Sequence, residues 1–268
     1  QFDPFDRNGQ GTYKPVRENL FIDGVFAPHG GAGRVVIASS QGHIFQQCPE
    51  TNGKVFGSIC NTLDAILYDS GMDTYRPRLA DQVYDTAAHP SIYLHANAGI
   101  TFDLGAIRGY LTDDQIRSFT ALCGVCAEQK AVDDPVMDFW VLIDGKVRFR
   151  RHHATKAAGP MAIDVPLSAQ DRFLTLLSTE GPDGPGGDVG LFAEPALELE
   201  VKDEENDEIV SISSLGQTKS LTGLGHAKTN NQQIFLKFRL WLEGKLFMKL
   251  EAWGIEIYKC GFHCLGMG

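Results

Sequence analysis

Apolar residues recur at every second position over most of the chain between residues 91 and 200, and that period of two is the signature of strands with distinct faces. In SIYLHANAGITFDL (91–104), Ile100, Phe102 and Leu104 fall on one face, with Thr101 and Asp103 on the other. RSFTALCGV (117–125) sets Phe119, Ala121, Cys123 and Val125 against Thr120, Leu122 and Gly124. MDFWVLIDGKVRFRR (137–151) predicts a hairpin: Met137, Phe139, Val141 and Ile143 lead into Asp144-Gly145, and Val147 and Phe149 follow. Asp-Gly suits a type I′ turn, because both positions need positive φ and the turn twists with its strands. MAIDVPL (161–167), DRFLTLLST (171–179) and DVGLFAEPALELEV (188–201) supply three more strands. Helix is expected only within 104–117, as short turns, with Thr112 capping before Asp113 and Asp114.

The flanks read differently. Residues 1–18 are polar and turn-rich, an irregular lead-in; NLFIDGVF (19–26) is the first apolar segment. A glycine-rich turn at 29–33 precedes RVVIASS (34–40), whose β-branched content predicts a strand, and 48–90 reads as long connections. After Val201 an acidic run and a polar stretch, 202–233, have linker composition. Residues 234–268 alternate again about Glu243-Gly244-Lys245, as a hairpin-like extension would. Short, evenly spaced strands with little helical period between them predict an all-β chain, a β-sandwich or jelly roll, over 19–201.

The 268 residues suffice for one large or two smaller β domains, and 43% hydrophobic with 22% charged residues is ordinary globular composition. A net charge of −10 argues against nucleic acid or an anionic membrane as the main partner, since phosphate contacts draw on clustered Lys and Arg. The one basic run, KVRFRRHH (146–153), alternates with Val147 and Phe149 and reads as the solvated face of a strand. No apolar stretch reaches the 18 residues of a membrane span. Starting at Gln1, the chain reads as part of something longer, with further domains as expected companions.

Cys123-x-x-Cys126 and Cys260-x-x-x-Cys264, with His263 inside the latter, raise the question of zinc. A spacing of three in a strand points two sulfurs to opposite faces, so Cys123 and Cys126 read as small buried hydrophobes or as partners in a stray disulfide. Serine-hydrolase and phosphate-loop motifs are absent, and GPDGPGG (181–187) lacks the lysine and following helix of a phosphate loop. Nothing marks a nucleophile or a pair of facing carboxylates, so the reading is not an enzyme, and no cofactor is required.

Sugar binding by a β-sandwich needs polar side chains on rim loops and often an aromatic face. The loop candidates are His95 and Asn97 in LHANAG, Asp183 and Asp188 in GPDGPGGD, and Asp133, Asp134 and Asp138 in VDDPVMD. His95 and Asn97 could instead satisfy loop backbone groups, and Asp183-Gly184 could be only a turn. The acids could also hold calcium, a hard cation that takes carboxylate and carbonyl oxygens, with Asp133, Asp134 and Asp138 as the metal candidates. Phe139 and Trp140 lie on opposite faces of one strand; both read as core, since a sheet covered on both sides buries both faces.

Together these segments resemble the NPCBM family of carbohydrate-binding modules. The resemblance rests on His95-Ala96-Asn97, on Asp144-Gly145, on Asp183-Gly184, and on Asp188 through Phe192 to Glu194-Pro195, over about 91–200. It implies a galactose-binding-like jelly roll that binds glycans or polysaccharides, galactose-type sugars first, without catalysis, in an extracytoplasmic bacterial protein at the cell surface, in the periplasm or secreted. One departure stands in the binding region: members often carry His or Trp just after the late aspartate, where this chain has Val189. Segment 19–56 is similar to the lead-in of a subgroup found behind FecR-type regulatory domains. That likeness implies the alternative, an interaction or structural domain of a cell-surface regulator that no longer binds sugar.

Overall fold

The computed structural model describes residues 13–55, 59–62, 67–68, 74–111, 115–128, 134–200 and 234–237. Its strands are, in chain order, β1 (Lys14–Pro15), β2 (Ile22–Phe26), β3 (Cys60–Asn61), β4 (Leu67–Tyr68), β5 (Thr74–Tyr75), β6 (Arg78–Leu79), β7 (Gln82–Val83), β8 (Ser91–His95) and β9 (Ala98–Asp103). After helix α1 (Leu104–Tyr110) follow β10 (Gln115–Val125), β11 (Met137–Ile143), β12 (Lys146–Ala154), β13 (Met161–Pro166), β14 (Phe173–Glu180), β15 (Val189–Glu200) and β16 (Ile234–Lys237).

Two antiparallel sheets hold the core between them. One runs β1-β2-β9-β14-β11-β12; the other runs β13-β10-β15-β8-β3, with β16 joining β15. For the eight strands β8 to β15, one sheet reads second, seventh, fourth, fifth, and the other reads sixth, third, eighth, first. That order is a jelly roll: the chain folds as a long double hairpin, first strand on last, and then curls over. The all-β expectation holds.

Side chains alternate as the sequence predicts, but both faces of each sheet are covered. Phe139, Val141, Ile100, Phe102, Phe119, Leu174 and Phe192 fill the space between the sheets. Behind the first sheet, Val36, Ala38 and Phe45 pack over Phe26, Trp140, Leu142 and Leu177. Behind the second, Cys60, Leu79 and Tyr84 cover Tyr93, Leu191 and Cys126. Phe139 and Trp140 are therefore both buried, on opposite faces, and Cys123 and Cys126 belong to separate apolar clusters.

The predicted Asp144-Gly145 turn joins β11 to β12, with φ of 49° and 76° at the two residues. Three expectations need correction. Residues 34–40 form no strand: Val36 and Ala38 face the sheet, Val35 and Ile37 face solvent, and only an isolated bridge pairs Ile37 with Ile44. The segment lies across the sheet as a cover, so its β-branched residues pack without a ladder; the Thr101 hydroxyl donates to the Ala38 carbonyl at 2.5 Å. Helix α1 stops at Tyr110, with Asp103 as its cap through a 3.0 Å bond from the Ala106 N–H. Residues 115–117 are already strand, because Ile116 must face the core, and the proposed Thr112 cap lies outside the described residues. In the basic strand β12, Arg151 is buried: the register shifts between Met137 and Phe139 of β11, and Arg151 turns inward to donate to the carbonyls of Cys123 and Gly159, each at 2.7 Å.

Of the expected linker and extension, only β16 is described; it pairs antiparallel with β15, Ala196 opposite Lys237 to Leu199 opposite Ile234. It sits along the stretch of β15 that β8 leaves free, since β8 pairs only as far as Ala193. The kink at Glu194-Pro195, where Glu194 has φ of 48°, ends that pairing. Residues 201–233, 238–268 and 1–12 lie outside the described residues.

Candidate functional site

The jelly-roll path sends four connections from sheet to sheet over one end: 96–97, 126–136, 155–160 and 181–188. The cover segment also starts there, because Phe26 at the end of β2 pairs with Gly99. Every described residue proposed from the sequence as a ligand or metal contact lies on or next to this rim. The fold thus brings them to one end of the sandwich, and burial then separates their roles.

Asn97 is wholly buried, and its amide is a staple. Its Nδ2 donates to the Lys54 carbonyl at 3.1 Å, and its Oδ1 accepts the Glu180 N–H at 2.8 Å. One side chain thereby ties the cover segment to the end of β14. His95, at the end of β8 opposite Val189, is also buried, with Nδ1 at 2.7 Å from the Ala96 carbonyl. Asp183 is the exposed member of the sequence-predicted ligand set. Its Oδ2 accepts the Val136 N–H at 3.1 Å, joining loop 181–188 to the connection before β11.

Asp188 is wholly buried and differs from the rest. Its backbone is fixed: its carbonyl accepts the Ala96 N–H at 3.1 Å, and its N–H donates to the Pro185 carbonyl at 3.4 Å. Its carboxylate oxygens have no hydrogen-bond partner among the described residues. Burial first, then the charges of Asp183 and Glu180, push its pKa up to about 9. Glu180, at the end of β14, takes the Asn52 N–H on Oε1, while its buried Oε2 has no partner among the described residues. The residue pattern alone does not single out Glu180. The available signal was density: TEGPDGPGGD (179–188) holds three acids in a glycine- and proline-rich turn.

The acids considered for metal stand apart from this cluster. Asp133 lies outside the described residues, and Asp134 is exposed. Asp138 is buried and already engaged: Oδ1 accepts the His153 N–H at 2.7 Å, and Oδ2 meets Arg150 at 3.1 Å and His152 Nδ1 at 2.8 Å. Asp138, His152 and His153 have the spacing of a metal trio, but the Arg150 guanidinium also lies 3.0 Å from His152 Nδ1, placing a positive charge where an ion would sit. Arg150 stacks on Trp140 at 3.9 Å, which holds it there.

The rim carries no exposed large aromatic side chain among the described residues; Tyr110, the exposed one, lies at the opposite end. Val189, where a polar or stacking group would be expected, is 2% exposed and packs inward. At the far end, Arg108, Gln115, Arg117 and Ser168 line a cleft of about 430 Å³. Among the described residues no helix is long and apolar enough to cross a membrane.

Comparison with known proteins places one family on this architecture: residues 83–198 match the model of the NPCBM/NEW2 domain. No curated protein matches the chain. Among solved structures, the CBM51 module of Clostridium perfringens GH95, in complex with methyl-galactose, is 22% identical, covering 53% of this chain and 88% of its own, with a TM-score of 0.39. The tandem CBM51 modules of Sp3GH98, the family 98 glycoside hydrolase of Streptococcus pneumoniae SP3-BS71, are 18% identical, with shares of 56% and 43% and a TM-score of 0.42. The CBM51-2 and INT domains of Clostridium perfringens ZmpB, in complex with GlcNAc, are 14% identical, with shares of 73% and 42% and a TM-score of 0.37.

Proposed function

We propose that this chain, whose residues 83–198 match the NPCBM/NEW2 domain model, is a non-catalytic carbohydrate-binding module that meets a glycan at the rim formed by its four crossover loops. The observation that carries the reading is the family match itself, which spans all four crossovers. The geometry refines the contact set. A buried side chain cannot touch a sugar, so Asp183 is the member of the predicted set that meets ligand, with exposed Asn52, Lys54 and Asp134 on neighbouring loops. His95, Asn97 and Asp188 lie beneath and shape the loops. The ligand is a galactose-type glycan, and the protein is extracytoplasmic and bacterial, a part of a larger assembly of domains.

One observation favours a second reading, an interaction domain that has lost sugar binding: the rim lacks an exposed aromatic platform among the described residues. Stacking on such a ring would otherwise supply much of the affinity for a sugar face. A glycan array followed by calorimetric titration separates the two. The first reading expects millimolar to micromolar binding to galactose-terminated glycans, weakened about tenfold or more by Asp183→Ala and unchanged by Gln115→Ala at the far end. A flat response across a broad panel overturns it in favour of the second.

A further inference from the structure

The cleft at the end of the sandwich opposite the rim is lined by a guanidinium that no described acid meets directly. Arg108, half-buried in the last turn of α1, donates through Nη1 to the Asp171 carbonyl and through Nη2 to the Ser168 carbonyl at 2.8 Å. Three acids act on it from further away, and each has nearer partners. Asp171 accepts the Ser168 N–H at 2.7 Å and faces Arg148 at 3.8 Å. Asp144 accepts the Phe173 N–H at 2.8 Å, and Asp103 caps α1 and pairs with Arg172 at 3.0 Å. Burial outweighs all three and lowers the Arg108 pKa from its ordinary value. The two carbonyls fix the guanidinium but take only two of its five N–H groups among the described residues.

A second arginine lines the same cleft. The register of β10 against β15 shifts between Ile116 and Ser118, so Arg117 is the extra residue of a bulge and stands exposed. Its carbonyl accepts the Leu167 N–H at 2.7 Å, which joins β10 to the loop after β13. The buried Ile116 and Leu167 give the cleft an apolar part, and the exposed Ser168 adds a polar one. Its volume of about 430 Å³ lies within the range of about 300–1,000 Å³ typical of small-molecule sites, more than a bare inorganic anion fills.

We propose that this cleft binds an oxyanion carried on a small organic ring, a carboxylate or sulfate on a molecule of monosaccharide size. Arg108 and Arg117 hold the oxyanion, and Ile116 and Leu167 lie against the ring. A guanidinium presents paired, coplanar N–H groups that match two oxygens of either anion. The site does not depend on the glycan reading, because the rim lies at the other end of the sandwich.

The test titrates the full chain at low salt with glucuronate and with glucose 6-sulfate. Glucose serves as the uncharged control and sodium sulfate as the bare anion. Calorimetry should show millimolar binding of at least one of the two ring-borne oxyanions, with the tighter one naming the anion, and glucose and sodium sulfate at least tenfold weaker. Arg117→Gln should weaken that binding about tenfold, the scale of one lost charge-assisted hydrogen bond. Arg108→Lys, which keeps the charge but not the fork, should weaken it by a similar factor. Arg34→Gln, which removes the same charge from the exposed cover segment, should leave it unchanged. Arg108 also holds the loop from Ser168 to Asp171, so should Arg108→Lys fail to fold, the wild-type titration and Arg117→Gln still decide the matter. No binding of either oxyanion by wild type, equal binding of glucose or sodium sulfate, or equal weakening by Arg117→Gln and Arg34→Gln overturns the proposal. Binding that emerges only after Asp113→Asn and Asp114→Asn together assigns the cleft to the chain's own acids and overturns it as well. Galactose-terminated glycans, titrated separately, report on the rim, so failure at this cleft leaves the module reading intact.

Discussion

Replacing Asn97 by Ala separates a sugar contact from a structural staple at the centre of the rim. The wild-type amide accepts the Glu180 N–H at 2.8 Å and donates to the Lys54 carbonyl at 3.1 Å. Removing it leaves both backbone groups without that partner, and an orphaned buried group costs about 1–3 kcal/mol. Lys54 is exposed and water can reach its neighbourhood, so its carbonyl contributes the low end, while the Glu180 N–H carries the larger share. The sum is about 2–4 kcal/mol, a substantial part of the 5–15 kcal/mol typical of a domain. Urea unfolding followed by circular dichroism should show the midpoint falling with the slope unchanged. Asn97→Asp retains the acceptor but places a carboxylate in a wholly buried site beside other acids, so its folded pKa lies above its unfolded value. Such a group is protonated at acid pH and loses stability as pH rises, so Asn97→Asp should be closer to wild type at pH 5 than at pH 8. A stability loss under about 0.5 kcal/mol for Asn97→Ala, combined with lost glycan binding, would refute the staple and make Asn97 a ligand contact.

Two further outcomes follow from the covered faces of the sandwich. Phe45→Ala should cost about 3 kcal/mol in chemical denaturation, since Phe45 is buried edge-on against Trp140 at 5.2 Å; a near-neutral result would mean the cover segment does not pack on the sheet. Burial pushes the Cys48 thiol up to about 12 and the Cys123 thiol up to about 11, so neither forms thiolate at pH 8. Peptide mapping after alkylation of the native protein at that pH should find both unmodified, and rapid labelling of Cys123 would contradict its place between the sheets.

How much of this was visible in the chain depends on the range of the interaction that decides each feature. Alternation is local, and it located β9, β10, β11, β13, β14 and β15, because a strand facing a core must repeat every second residue wherever it pairs. The Asp144-Gly145 turn was equally legible, since positive φ at both positions is a local steric demand. The strand predicted at 34–40 does not form because β-branched residues suit any flat apolar surface; Val36 and Ala38 find one behind the first sheet rather than a neighbouring strand. Arg151 departs from its local pattern for a similar reason. Its charge predicts solvent, and only the register shift across the pair β11 and β12 turns it toward the carbonyls of Cys123 and Gly159.

The rim shows the same division more sharply. Residue type nominated His95, Asn97, Asp183 and Asp188, and topology brings all four to one end, because strands β8 and β14 finish and β15 begins there. Type could not say which of them faces outward. That depends on the crossover geometry, which buries Asn97 under Lys54 and Glu180 and leaves Asp183 at the surface. Nor could it reveal Glu180, since a glutamate at a strand end is usually a solvated one. The turn from β14 to β15 sets Glu180 and Asp188 at one end of the sandwich, with Glu180 Oε2 and both Asp188 carboxylate oxygens lacking a hydrogen-bond partner among the described residues. Burial first, and then the neighbouring acids, favour the protonated form of Asp188, whose pKa rises to about 9. The exposed carboxylate of Asp183 and the buried carboxyl of Asp188 beneath it are two sides of one short turn.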